Sequence, residues 1–368
     1  MKGLIPAAGL GTRMFPLTLT RPKTLLPVLG KPVLYYVLQI FNSIGIKDIG
    51  IVVNATHRKL IEAYASSYYK HKINYIEQKK PLGLAHAILT AKIFINDESC
   101  LIINGDAILE GNWHSLIENH RRLNATTTLG LYNIPKPERF GVVQLHGKRV
   151  TKVVEKPKIP FSPLASASTY LIEPIALNFI ERIRPGKRGE YDFVDAIQLL
   201  IGENKSVIGY ELDNWIDIGR PWDYLDANLY LLESISKDMD DSVRIGRGTD
   251  IQNSFVDREC EIAQNCRILH SFIDKNVIID TDSVIERSVV LASTRIGKNV
   301  IIKNSVIGEN CIIGNGVSFL DKNDNNQEIY AHFEEKLVNT HRTRLGSFIG
   351  DNVTINENEV IPPGSIYS

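Results

Sequence analysis

Cysteine is scarce: Cys100, Cys260, Cys266 and Cys311 are the only four in 368 residues, and no two stand in C-x-x-C spacing. That excludes a disulfide framework and a thiolate zinc site, and leaves four small hydrophobes. Neither sign of charge is in excess, with 42 basic and 42 acidic side chains. No bulk field would gather nucleic acid or an anionic membrane, so any polyanion site must be local. Long apolar runs are missing: none approaches the roughly 18 residues of a membrane-crossing helix. The apolar start of the chain is too short for a signal peptide, and a cytoplasmic location is expected. No Ser–His–Asp or Cys–His grouping points to a covalent intermediate. What is there is a globular composition, 43% hydrophobic and 23% charged, in a chain long enough for two domains.

Over the first 234 residues, apolar runs at 2–6, 49–53, 73–77, 101–104 and 126–132 alternate with stretches of helical period at 33–43, 57–68, 84–94 and 113–123. Such alternation predicts βαβ units, a mainly parallel sheet, and ligands outside the carboxyl ends of its strands. The runs 142–145 and 150–155 flank His146-Gly147-Lys148-Arg149 as a hairpin, 166–172 is extended, and 192–201 and 221–234 are helical.

Beyond residue 243 an internal repeat takes over. Ile245, Ile262, Ile279, Ile296 and Ile313 stand 17 residues apart, as do Ile251, Ile268, Ile285 and Ile302, and Val256, Ile273, Val290 and Ile307. Steps of 6, 5 and 6 place one aliphatic side chain on each edge of a three-sided coil, the hexapeptide texture of a parallel β-helix. One coil cannot bury its apolar edge; stacked coils can. Polar sequence at 319–345 interrupts the repeat, which resumes at Ile349-Gly350-Asp351-Asn352-Val353. The expected division is therefore an α/β domain over 1–234 and a β-helix over 243–368 with an insert at 319–345. The first is expected to stay active without the second.

Three groups of residues carry chemistry. After the apolar run Gly3-Leu4-Ile5 comes Gly9-Leu10-Gly11-Thr12-Arg13, with Pro22-Lys23 further on. Glycines permit positive φ and close approach of backbone N–H groups to an anion, and the two cations add charge-assisted hydrogen bonds. Taken alone this is a polyphosphate cradle or an ordinary βα turn; it is neither a dinucleotide fingerprint nor a Walker A loop. Asp106 and Asp217, 111 residues apart, each end an apolar run. Each alone reads as a turn aspartate; beside a phosphate loop, the pair reads as a hard oxygen site for Mg²⁺. Pro81-Leu82-Gly83-Leu84-Ala85-His86, preceded by Gln78, gives small residues against which a planar ring can lie. His86 by itself reads as a surface or core histidine.

These motifs, in this order and spacing, resemble the sugar-1-phosphate nucleotidylyltransferases: Gly9-Leu10-Gly11-Thr12-Arg13, Pro22-Lys23, Leu26-Pro27-Val28, Gly83-Leu84-Ala85-His86-Ala87, Gly105-Asp106, Phe140-Gly141-Val142-Val143, Glu155-Lys156-Pro157 and Trp215-Ile216-Asp217-Ile218-Gly219. The resemblance is strongest to long-form glucose-1-phosphate thymidylyltransferases. It implies a Rossmann-like, mostly parallel mixed sheet of the nucleotide-diphospho-sugar transferase type, α/β in class, followed by a left-handed parallel β-helix.

It also implies roles for individual residues. Arg13 and Lys23 act on the triphosphate. Ala8, Gly9, Gly11, Thr12, Gln78 and Gly83 bind the nucleotide. Gly141, Glu155 and Lys156 hold the sugar phosphate, and Asp106 and Asp217 hold Mg²⁺. The implied reaction is attack of a sugar 1-phosphate, glucose 1-phosphate first, on the α-phosphorus of dTTP or UTP, releasing pyrophosphate. The alternatives are a bifunctional enzyme with an acetyltransferase in the β-helix, for which His270, His332 and His341 are candidates, and a non-catalytic sugar-nucleotide-binding paralogue. Three departures stand out: Pro6 before Ala7-Ala8-Gly9, Ala107 after Asp106, and Ser168 where the family usually has glycine. The Gly-Leu-Ala-His-Ala loop argues against a guanylyltransferase. The β-helix is expected to drive homo-oligomerisation, with no nucleic acid or membrane partner.

Overall fold

The computed structural model describes residues 1–186, 189–235, 239–333 and 336–368. The chain packs as two compact units that do not follow its linear order: residues 1–10 with 33–217, and residues 11–32 with 218–368.

The first unit is built on a nine-stranded mixed sheet. Its strands are β1 (Lys2–Pro6), β2 (Ile49–Val53), β3 (Ile73–Glu77), β4 (Cys100–Ile103), β6 (Thr127–Asn133), β7 (Gly141–His146), β8 (Arg149–Glu155), β9 (Leu164–Ile172) and β10 (Val207–Glu211), and β5 (Ala107–Glu110) and β11 (Asn214–Asp217) form a separate antiparallel pair. The order across the sheet is β3-β2-β1-β4-β9-β6-β10-β8-β7. The first four strands are mutually parallel, as the helix–strand alternation predicts, while β9 runs antiparallel to both β4 and β6. Strands β1, β2 and β4 are continuous apolar runs because helices cover both faces of a parallel sheet. Helices α1 (Val33–Ser43), α2 (Arg58–Tyr68), α3 (Leu84–Thr90), α4 (Trp113–Arg122) and α5 (Phe193–Gly202) lie within the helical stretches read from the sequence or within a residue or two of them. The predicted 84–94 helix breaks at Ala91 and restarts as a short turn of helix, Lys92–Ile95.

In the second unit three six-stranded parallel sheets stack as a β-helix, in the registers of the 17-residue series: Ile245↔Ile262, Ile251↔Ile268 and Val256↔Ile273 begin the three columns. After the insert the columns resume with Ile313↔Ile355, Phe319↔Ile361 and Ile307↔Ile349. The insert is not a plain loop. Tyr330–Phe333 and Lys336–Asn339 pair as antiparallel strands, with Ile329 and Ala331 fully buried.

One face of this β-helix is covered by the chain itself. Successive strand residues alternate between faces, so the residue before each inward aliphatic points outward. In the third sheet those outward residues are Phe255, Phe272, Val289, Val306, Phe348 and Ile366, and the middle four are completely buried. The cover is helix α6 (Pro221–Leu232) and the segment 11–32. Trp222 meets Phe348 at 6.3 Å between ring centroids and Phe333 of the insert at 5.9 Å. The Tyr224 hydroxyl donates to the Pro27 carbonyl, and Asn228 accepts from Leu29 N–H at 3.0 Å. Arg342, from the insert, donates to both carboxylate oxygens of Asp226 on α6. In the other two columns the outward residues include exposed apolar side chains, Ile312 at 52% and Val360 at 61%.

Candidate active site

In the sheet unit the carboxyl ends of β1, β2 and β4 are tied together where the glycine loop begins. Ala7 N–H donates to Val52 O at 2.8 Å, and Gly105 N–H to Pro6 O at 3.1 Å. The buried side chain of Asn54, just past β2, donates to Ala8 O at 3.0 Å and accepts from His57 N–H at 2.8 Å. Nothing in the sequence singles out Asn54, a residue that pins the loop's lead-in without being in its motif.

Strand register places Asp106 and Asp217 at one end of the same pair of strands. In the β5–β11 pair Asp217 stands opposite Ala107, the neighbour of Asp106, so both residues stand at the same end of one two-stranded ladder. Both residues are half-buried, and both already interact within the protein. Among the described residues no cluster of three or more histidine, cysteine or acidic side chains forms a metal cage. Two carboxylates with room for phosphate oxygens and water is the donor set that suits Mg²⁺, which is bound through one or two carboxylates plus substrate. Nearby, Asn104 Oδ1 is buried with no hydrogen-bond partner among the described residues.

Gln78 is set by His86, a residue whose sequence setting alone reads as a surface or core histidine. Gln78, nearly fully buried just past β3, meets His86 Nδ1 through its Nε2 at 2.7 Å, so His86 on α3 fixes the direction of the amide. Gly83 has φ +97, and a Cβ there would lie 2.9 Å from Tyr191 O and 3.0 Å from Tyr191 N. Only glycine fits this close approach, which lets Tyr191 exchange backbone hydrogen bonds with Leu82 and Ala85.

Gly141 and Glu155 face each other across the β7–β8 hairpin. A Cβ on Gly141 would reach 3.0 Å from Val194 and 3.3 Å from Glu155 Oε2. Lys156 Nζ lies 3.3 Å from Glu155 Oε1. An open cavity of about 710 Å³ is lined by Glu155, Lys156, Asp192, Val194, Asp195 and Gln198, among others. Burial and the neighbouring Asp192 raise the Asp195 carboxyl above its ordinary value. Ser168 stands, where the resemblance leads one to expect glycine, on a backbone that favours glycine. It takes φ +51, in the left-handed region, at the irregularity between Ser166 and Tyr170 where β9 slips against β6, and its carbonyl accepts from Asn104 N–H at 3.0 Å. Glycine adopts that backbone without cost; serine does so at a price of about 1 kcal/mol.

Arg13 and Lys23 belong to the β-helix unit. Gly11, with φ +69, caps a short 3₁₀ turn over Thr12–Met14 that presents Thr12 and Arg13 exposed. Its carbonyl accepts from the Thr18 hydroxyl at 2.9 Å, and a Cβ on Gly11 would sit 3.3 Å from Lys23 Cβ. Lys23, 8% exposed, opens a second 3₁₀ turn over Lys23–Leu25 after Pro22. The glycine loop and the lysine thus fold onto each other. Of the expected residues, Gly11, Thr12, Arg13 and Lys23 stand in this unit, and Ala8, Gly9, Gln78, Gly83, Asp106, Gly141, Glu155, Lys156 and Asp217 in the sheet unit.

A family model described as "Nucleotidyl transferase" matches residues 2–234. The chain belongs to this nucleotidyltransferase family. A second model, the "GMPPB C-terminal domain", matches residues 250–367 of this nucleotidyltransferase. It is 33% identical over 303 residues to a glucose-1-phosphate thymidylyltransferase from Streptomyces griseus, covering 79% of this chain and 85% of the relative. It is 31% identical over 375 aligned positions to the bifunctional protein GlmU of Methanococcus maripaludis (strain C5), covering 96% and 88%. Among solved structures, a putative glucose-1-phosphate thymidylyltransferase from Bacillus anthracis, crystallised with sucrose, superposes with a TM-score of 0.59 at 27% identity, over 64% of this chain and 97% of that one. No helix among the described residues is long and apolar enough to cross a membrane.

Proposed function

We propose that this nucleotidyltransferase makes a pyrimidine nucleotide sugar, joining dTTP or UTP to glucose 1-phosphate. The phosphate oxygen of the sugar 1-phosphate attacks the α-phosphorus, the bond from that phosphorus to the β-phosphate oxygen breaks, and pyrophosphate leaves. Catalysis of this kind is mostly positioning and charge neutralisation. The observation that carries the reading is the position of Asp106 and Asp217 at one end of the β5–β11 ladder, in a chain of this family. In this reading the two carboxylates hold Mg²⁺, which neutralises phosphate charge when bound. Ala8, Gly9, Gly11 and Thr12 offer backbone and hydroxyl groups to the triphosphate, and Arg13 and Lys23 oppose its charge. Gln78, aimed by His86, meets the polar edge of the pyrimidine while Gly83 leaves room for its plane. Gly141 and Glu155 receive the hexose, and Lys156 its phosphate.

A pyrophosphate-release panel crossing dTTP, UTP, CTP, GTP and ATP with glucose-, galactose-, mannose- and N-acetylglucosamine-1-phosphate tests the reading. Release restricted to a pyrimidine triphosphate with glucose 1-phosphate is expected, and preference for a purine triphosphate refutes it. The nearly whole-length likeness to a bifunctional relative favours one second reading, an acetyl transfer in the β-helix. Acetyl-CoA consumption with an amino-sugar phosphate tests that. Homo-oligomers form, in this reading, through the two β-helix faces that α6 does not cover, and light scattering measures their size.

A further inference from the structure

The β-helix face that carries α6 also holds the segment between Gly11 and Lys23, and it holds it by charge. Arg21 stands two residues before Lys23. Its Nη1 donates to Glu309 Oε1 at 2.5 Å and its Nη2 to Asp351 Oδ2 at 2.5 Å. The Thr20 hydroxyl donates to the same Asp351 oxygen, and Asp351 Oδ1 accepts Glu309 N–H at 2.7 Å. Glu309 and Asp351 sit on adjacent coils although the insert separates them by 42 residues in sequence. The Asp351 carboxylate is only 4% exposed. At the same place Gly350 packs so closely that a Cβ on it would lie 3.0 Å from Pro16 Cβ. Burial alone would lower the pKa of the Arg21 guanidinium, but the hydrogen bonds and charges of Glu309 and Asp351 outweigh it and raise it.

A largely buried ion pair is a poor way to gain stability, because the cost of desolvating both partners consumes most of the attraction. What it does supply is register, since breaking one partner leaves an uncompensated charge. Between Arg21 and Lys23 stands only Pro22, whose ring locks φ, here at −67. A shift at Arg21 therefore passes directly to Lys23, and through the Gly11–Lys23 packing to the turn that bears Arg13.

We propose that Arg21 is a positioning residue: through Glu309 and Asp351 the β-helix sets the geometry of the loop that presents Arg13 and Lys23 to the nucleoside triphosphate. The β-helix then orders, through Arg21, the loop of its own unit that bears both cations. The catalytic half of this inference rests on the nucleotidyl-transfer reading above; the ordering half does not.

The experiment compares the full-length wild type with R21M, D351N, E309Q, R21K and the double variant R21M/D351N. Two readouts are taken together: amide hydrogen exchange, and pyrophosphate release from dTTP and from UTP with glucose 1-phosphate. Exchange at Met14, Leu17, Leu25 and Leu26, whose N–H groups close the two 3₁₀ turns and their flanks, is expected to rise tenfold or more in R21M and D351N. Exchange in the inner columns of the β-helix should be unchanged. Turnover is expected to fall at least tenfold, with the KM for glucose 1-phosphate moving less than kcat. R21K should restore part of the loss, and the double variant should be no worse than the worse single. Should R21M fail to fold, D351N and E309Q carry the same comparison. Unchanged exchange at those amides overturns the proposal, as does raised exchange with turnover within twofold of wild type. If the wild type releases no pyrophosphate with any substrate pair, the proposed function fails, and the exchange data alone then decide whether Arg21 orders the loop.

Discussion

Replacing Asp274 by asparagine should make the β-helix unit more stable at neutral pH, and the gain should vanish in acid. Asp274 follows Phe272-Ile273 on the covered face and is 4% exposed. Its carboxyl is pushed up to about 6, by desolvation first and then by the charges of Asp257 and Glu309, against the Lys275 N–H donated at 2.8 Å, which pulls it down. Tyr224, on the helix packed over this face, feels the Asp274 charge, and Lys275 adds a compensating cation. A carboxyl raised from its ordinary value near 4 to about 6 is one whose charged form the fold disfavours. The associated stability is fully present below pH 4 and is lost as pH rises through 6. Once both states are ionised the loss is on the order of 3 kcal/mol.

Asparagine keeps the acceptor for Lys275 N–H and never carries the charge. At pH 7.5 D274N is therefore expected to unfold at a urea concentration higher by about 1 M, since slopes run near 1–3 kcal/mol/M or above for units of this size. Between pH 7.5 and pH 4 the difference should close. Urea titrations monitored by circular dichroism at the two pH values decide it. A D274N midpoint offset that stays the same at both, or a destabilised D274N at pH 7.5, would show that the buried carboxylate is compensated by something other than the groups named here.

Other outcomes follow from the site. Asp106→Asn and Asp217→Asn should each cut pyrophosphate release by on the order of 10²–10³, the scale of losing one electrostatic stabiliser; near-normal rates in both would remove the metal assignment. His86→Ala should raise the triphosphate KM about 2–10-fold with little change in kcat, because it deletes the hydrogen bond that aims Gln78. Gly83→Ala, forcing a Cβ to within 2.9 Å of Tyr191 O at φ +97, should cost at least about 1–2 kcal/mol in thermal unfolding and weaken nucleotide binding in titration calorimetry. Deleting 243–368 should abolish turnover rather than spare it, since the segment 11–32 would lose the face it is folded on; a soluble truncated protein with normal kinetics would contradict this.

That last outcome reverses what the sequence leads one to expect, and the reason is instructive. The 17-residue period marks a β-helix from residue 243 on, and the motifs end near residue 234, so a cut between them looks free. Yet the apolar column Phe255, Phe272, Val289, Val306, Phe348 is written in the same repeat as the inward aliphatics. It is the one outward column without polar residues, and it announces that something must cover that face. Likewise Ser168 is visible as a departure from the family pattern, but its cause, a left-handed backbone at a strand irregularity, is not.

The sequence by itself determined the elements that depend on local period and on motif: the parallel strands at 2–6, 49–53 and 73–77, the three aliphatic columns, the glycine loop and the two candidate metal aspartates. These rest on spacing along the chain, which hydrophobic burial reads residue by residue. Only the tertiary structure decided which distant residues meet. Register across β5 and β11 puts Asp217 opposite Ala107, at the end of the ladder where Asp106 stands. The turn after β3 puts Gln78 against His86. Coil stacking across the insert builds, from Glu309 and Asp351, the pair that grips Arg21. Such pairings arise from long-range packing, where a single carboxylate or guanidinium has many possible partners and only the folded chain selects one.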